Sequence, residues 1–110
     1  MNIDELVDVV TEEKLRTDLK QLIGRWKADA TDVHHLGGLI EAWHGNVGSR
    51  SQGIQDEFYK KFQSFQSKAI DGLGGMTMNE RLYWFGLFEE WDRSDAIGQE
   101  RIRGKLHAPA

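Results

Sequence analysis

Glu41 and His44 stand three residues apart, a spacing that places a carboxylate and an imidazole on one helical face. That pair is one half of the ligand set of a carboxylate-bridged di-metal site in a helix bundle. The other half needs a second Glu-x-x-His and two more inward glutamates. The chain holds no second copy, and His34, His35 and His44 do not share a helical face. The pair therefore reads as a polar cluster at a helix end, with His44 suited to the C-terminal dipole. No cysteine is present, which excludes a disulfide framework and a thiolate metal site. Gly72, Gly74 and Gly75 lead into Thr77, where free N–H groups at a helix start would favour a phosphate. No strand precedes them, no Gly-Lys-Ser/Thr completes a P-loop, and Glu80 would occupy the same donors. Ser49 and Ser51 near His44 lack a nucleophile elbow. Glu89 with Glu90, or Asp92 with Asp95, have the look of acid–base pairs, but acids alternating with core residues usually form a solvated helix face. No catalytic residue, metal ligand or cofactor is assigned, and the reading is of a protein that is not an enzyme.

The elements that position these residues are helical. Ile3, Leu6, Val7 and Val10 make one helical face, and Leu15, Leu19, Leu22, Ile23 and Trp26 make the next. A break is expected near Thr11, because Glu12 and Glu13 suit the first turn of a new helix. Val33, Leu36, Ile40 and Trp43 mark a third helix, in which Gly37 and Gly38 each cost about 1 kcal/mol relative to alanine. Close approach of another helix would explain them. Residues 45–51 read as a loop. Ile54, Phe58, Phe62, Phe65 and Ala69 form an aromatic stripe on a long helix, ended by the glycines at 72–75, with a left-handed C′ residue expected there. Thr77 and Glu80 have the capping-box spacing, and the helix they start is expected to run unbroken through Trp91. On that helix Trp84, Leu87, Phe88 and Trp91 would share one face, with Leu82 and Phe85 toward another. Ser94 or Asp95 would cap a last helix carrying Ile97, Ile102 and Leu106. The prediction is an all-α fold: one domain over residues 1–110, an orthogonal bundle of about four to six helices with the last few residues disordered.

Bulk properties narrow the work available to such a bundle. With 39% hydrophobic residues and four tryptophans the 110-residue chain has enough apolar surface for one core. The start of the chain is acidic and lacks an apolar leader, and no run reaches the ~20 residues of a membrane span, so a cytoplasmic protein without membrane contact is expected. A net charge of −4 disfavours nonspecific nucleic-acid binding, which depends on phosphate neutralisation. Arg101, Arg103 and Lys105 carry the alternative reading, a regulatory or nucleic-acid-associated domain, and Glu41 with His44 a more remote one, a small metal-dependent enzyme.

The leading reading is a protein-binding domain. Its first contact site is the acidic, aromatic end of the apolar stretch: Trp84, Glu89, Glu90, Trp91, Asp92 and Asp95. A second recognition element is the loop near Trp43, His44, Asn46 and Arg50. "GGMTMNERLYWFGLFEEWD" together with "LIEAWHGNVGS" resembles stretches of small helical bacterial proteins encoded beside polymorphic toxin genes. The resemblance spans about half of the chain. It implies an immunity protein that binds and neutralises a cognate toxin, with no binding residue carried over position by position. Many toxin nuclease domains are basic, and an acidic inhibitor would be steered toward one.

Overall fold

The computed structural model describes residues 1–47 and 52–108, with only the backbone of 52–55. Among these residues there are seven α-helices and no strand, so the fold is all-α. None of the helices is long and apolar enough to cross a membrane.

Helix α1 (Ile3–Asp8) begins at a capping box in which Asn2 Oδ1 accepts from the Glu5 N–H and Glu5 Oε1 accepts from the Asn2 N–H. The expected break follows, and α2 (Glu13–Ala28) is the longest helix among the described residues, burying Leu15, Leu19, Ile23 and Trp26 on one face. Helix α3 (Val33–Val47) buries Val33, Leu36 and Ile40. It continues through Gly45, Asn46 and Val47, so the first three residues of the predicted loop are helical and residues 48–51 lie outside the described residues. Gly37 is buried, and a Cβ there would stand 3.2 Å from Ile70 Cδ1, which is the close approach expected of it. Gly38 faces open space and has no such reason.

The aromatic stripe occupies α4 (Gln52–Phe65), where Phe58, Phe62 and Phe65 are buried. The helix then widens into a π-helical segment (Gln66–Asp71) that turns Ala69 and Ile70 inward against α3. It stops at Gly72, whose φ of −86° is not left-handed as expected. A side chain is excluded there because a Cβ would lie 2.6 Å from the Lys68 carbonyl oxygen.

Thr77 starts α5 (Met78–Trp84) with the predicted capping box to Glu80, whose carboxylate takes the Thr77 N–H. The helix does not reach Trp91. Phe85, Gly86 and Leu87 form a corner, and α6 (Phe88–Arg93) starts again at Phe88. Gly86 has φ of +63°, the left-handed region that glycine enters without steric cost. The proposed common face of Trp84, Leu87, Phe88 and Trp91 is therefore broken: Leu87 and Phe85 are fully buried, whereas Phe88 is 43% exposed. Asp95 caps α7 (Ala96–Lys105) by accepting from the Gly98 N–H. Ile102 and Leu106 are buried, but Ile97, grouped with them by spacing, is 81% exposed. The chain is placed through Ala108, and residues 109 and 110, where disorder is expected, lie outside the described residues.

The closing contact of the bundle is polar. Lys105 reaches back across the core with its side chain fully buried, its Nζ 4.1 Å from the centre of the Trp26 ring. It donates toward the carbonyls of Trp26, Asp29 (2.8 Å) and Thr31 (2.9 Å) and toward Asp29 Oδ1 (3.0 Å). One turn earlier, Arg101 donates to the carbonyls of Ala28 and Asp29 at 2.9 and 2.7 Å. Two cations of α7 thus cover the carbonyls at the end of α2 and in the turn after it, where the Trp26 carbonyl also takes the Asp29 N–H. Trp26 Nε1 donates to the Asp32 carbonyl at 2.8 Å, fixing the indole under the ammonium.

Asp29 gives this closure a pH signature. Burial pushes its carboxyl up, but hydrogen bonds from Thr31 Oγ1, Lys105 and the Thr31 N–H, with the Lys105 charge, outweigh burial and bring it down to about 2 from 3.8. Between those values the unfolded state binds more protons, so this stabilisation is complete above about pH 4 and lost as the pH falls through 2. Urea unfolding at pH 5 and at pH 2.5 is expected to show a smaller loss of stability in Asp29→Asn than in the native chain. An equal loss in both would remove Asp29 as a contributor.

Candidate functional site

The corner between α5 and α6 places the residues that sequence reasoning grouped as a contact site. It is held from inside by Phe85 and Leu87, both fully buried, and Phe85 packs at 5.9 Å from the Trp26 ring and 5.5 Å from the Phe65 ring. The Leu87 N–H donates to the Leu82 carbonyl at 2.9 Å, closing the turn around Gly86. Burying two such side chains contributes roughly 3–6 kcal/mol in transfer terms, enough to hold a short irregular segment in one shape. With 85 and 87 directed inward, Tyr83 and Phe88 are left outside, 46% and 43% exposed.

The structure divides the predicted set. Glu89 and Asp92 are exposed on α6, and Asp92 stands one turn from Phe88, where the two side chains are neighbours. Glu90 is turned inward, with 24% of its side chain exposed, and lines the hollow above α2 with Lys27. Its Oε2 is buried with no hydrogen-bond partner among the described residues. Arg93 lies loosely near both glutamates, 3.7 Å from Glu89 and 3.9 Å from Glu90. Asp95 is engaged as the cap of α7. Trp84 is half-buried, its ring 6.2 Å from Phe65, beside a hollow of about 170 Å³ with Lys61 and Lys68 on its rim. Trp91 is half-buried under the Arg103 guanidinium, 5.2 Å above its ring, and Arg103 is itself paired with Glu100 at 2.8 Å. The two tryptophans therefore pack on different elements, α4 and α7, and do not make one surface. The outward group is Phe88, Glu89 and Asp92.

Tyr83 extends the corner toward the start of the chain. Its hydroxyl donates to Glu5 Oε1 at 3.2 Å. That contact raises the phenol above its usual range, and the Asn2 N–H followed by the Tyr83 hydroxyl lowers Glu5. Tyr83 and Phe88 were not among the predicted contact residues. The sequence signal for them is the glycine inside "WFGLF", which interrupts the helical period and frees the residues beside it from the face that spacing assigns.

The second predicted recognition element has a different character. Trp43, His44 and Asn46 belong to α3 rather than to a loop, and Arg50 lies outside the described residues. Trp43 packs edge-on to Phe58 with centroids 5.3 Å apart, and His44 stacks on Tyr59 at 4.7 Å. Both are half-buried joints between α3 and α4, whereas Asn46 is exposed. Glu41 is exposed, and among the described residues no three His, Asp or Glu side chains converge as metal ligands would. The basic group of the alternative reading is also engaged: Lys105 and Arg101 hold the end of α2, and Arg103 covers Trp91. Comparison with known proteins yields no family model, no curated protein and no solved structure that matches this chain.

Proposed function

We propose that this domain is a non-enzymatic binding protein whose α5–α6 corner docks on a basic protein partner, in the manner of a cytoplasmic immunity protein that neutralises a bacterial toxin. The observation that carries this reading is an exposed aromatic side chain, Phe88, set beside the exposed carboxylates Glu89 and Asp92 on a turn made rigid by buried neighbours. Aromatic anchors ringed by charge are the usual makeup of a binding hot spot, and preorganisation lowers the entropy lost on docking. The net charge of −4 favours encounter with a basic surface. The resemblance of "GGMTMNERLYWFGLFEEWD" to immunity-type proteins supports the same reading.

The test is affinity capture from the native host with the native chain and with the variant Phe88→Ser/Glu89→Lys/Asp92→Lys. All three side chains are exposed, so the variant should fold normally. A basic protein retained by the native chain, released by added salt and lost with the variant is the expected result. Equal retention by both chains would dismiss the corner as the docking site.

A further inference from the structure

We infer that the groove above α2 is a second binding surface, of opposite sign to the corner, and that it takes an extended acidic peptide segment of a partner protein. Three hollows of about 310, 250 and 320 Å³ run together along α2. The first and second share Gly24, Lys27 and Glu90, and the second and third share Asp4, Val7 and Lys20, so they form one continuous depression. Helix α2 is the floor, α1 one wall, and α6 with Arg101 of α7 the other.

Charge identifies the occupant. Arg16, Lys20, Lys27, Arg93 and Arg101 line the groove against three carboxylates, Asp4, Asp8 and Glu90, so it is cationic on a protein that is acidic as a whole. Asp4 is already neutralised by Lys27 at 2.9 Å. Acidic side chains of a ligand would meet Arg16, Lys20 and Arg93.

Size and floor agree with this. From Arg16 to Ala28 the helix rises about 18 Å, the length of five or six extended residues. At Gly24 an added Cβ would meet nothing within 4 Å, so the glycine leaves the floor open although it lowers helix stability by about 1 kcal/mol. A nucleic-acid strand fits less well. None of the lining residues is aromatic, so bases would find no stacking platform, and interspersed carboxylates oppose a continuous run of phosphates.

The experiment is a titration of isotope-labelled protein with an acetylated, amidated hexapeptide of alternating glutamate and alanine. Saturable shifts of the Gly24 and Ser94 amides are expected. The charge reversal Arg16→Glu/Lys20→Glu, at two exposed positions, and the groove-filling Gly24→Leu should each weaken binding about tenfold or more while helix content is retained. Phe88→Ser, which leaves every charge in place, should bind the hexapeptide as the native chain does, which separates this surface from the corner. Absence of saturable shifts at millimolar peptide would overturn the proposal. So would equal binding of a lysine–alanine hexapeptide, tighter binding of hexathymidylate, or undiminished binding by folded Gly24→Leu.

Discussion

Lys105→Ala is expected to lower the unfolding free energy by about 3–5 kcal/mol, the range seen when one partner of a buried charged cluster is removed. In a domain of this size that corresponds to a fall in Tm of roughly 10–20 °C. The size of the effect follows from what the ammonium leaves behind. Its side chain is fully buried, and the carbonyls of Trp26, Asp29 and Thr31 converge on it at the end of α2. The Trp26 carbonyl keeps the Asp29 N–H and the Asp29 carbonyl keeps Arg101, so the Thr31 carbonyl is the acceptor left without a donor, at about 1–3 kcal/mol. The lost packing of the buried chain supplies the rest. Lys105→Met separates the contributions, since it restores most of the packed volume and none of the donors. It should recover only about 1 kcal/mol. Asp29→Ala should cost less than Lys105→Ala, because 42% of that side chain is exposed and the carbonyls stay on the ammonium. Urea titrations of the three variants check the order. A native-like Lys105→Met would mean that water replaces the ammonium and that the clamp contributes only packing.

Gly86→Ala is the second large effect, expected at about 2 kcal/mol from two separable sources. The left-handed backbone at φ +63° costs an L-residue roughly 1–2 kcal/mol. In addition, the new Cβ would stand 2.1 Å from Asp4 Oδ2 and 2.9 Å from Lys27 Nζ, so the Asp4 carboxylate must swing out and release Lys27. Loss of that partly exposed pair adds about 0.5–1 kcal/mol. A double-mutant cycle isolates the second part: in an Asp4→Ala background, Gly86→Ala should cost only the backbone term. If the cost is the same in both backgrounds, the ion pair does not rest on Gly86. Under the proposed docking, the turn matters because it sets the angle at which Phe88 leaves the corner.

Local signals were legible in proportion to how local their physics is. The break near Thr11, the Thr77–Glu80 box and the Asp95 cap each depend on residues within one turn, and each is found where spacing placed it. The unbroken helix to Trp91 was not, although Gly86 stands in the middle of it. A glycine inside a helical pattern is tolerated or left-handed depending on what surrounds it, and here Asp4 and Lys27, some eighty and sixty positions away, occupy the space of a side chain. The predicted contact set is divided for the same reason. Spacing put Trp84 and Trp91 on one face, but the corner sends one to α4 and the other to α7.

The sequence by itself determined an all-α chain, the helix starts marked by caps, its buried aromatic stripe and its overall acidity, because periodicity, caps and net charge are sums over neighbours or over the whole chain. Only the tertiary structure decided which charges are available. Arg101 and Lys105 read as a basic patch, yet they close the end of α2, while Arg16, Lys20 and Arg93, scattered in sequence, line one groove. Side chains this long take their roles from whatever polar group lies within reach of the folded backbone. Only the packing of α1, α6 and α7 on α2 sets that reach.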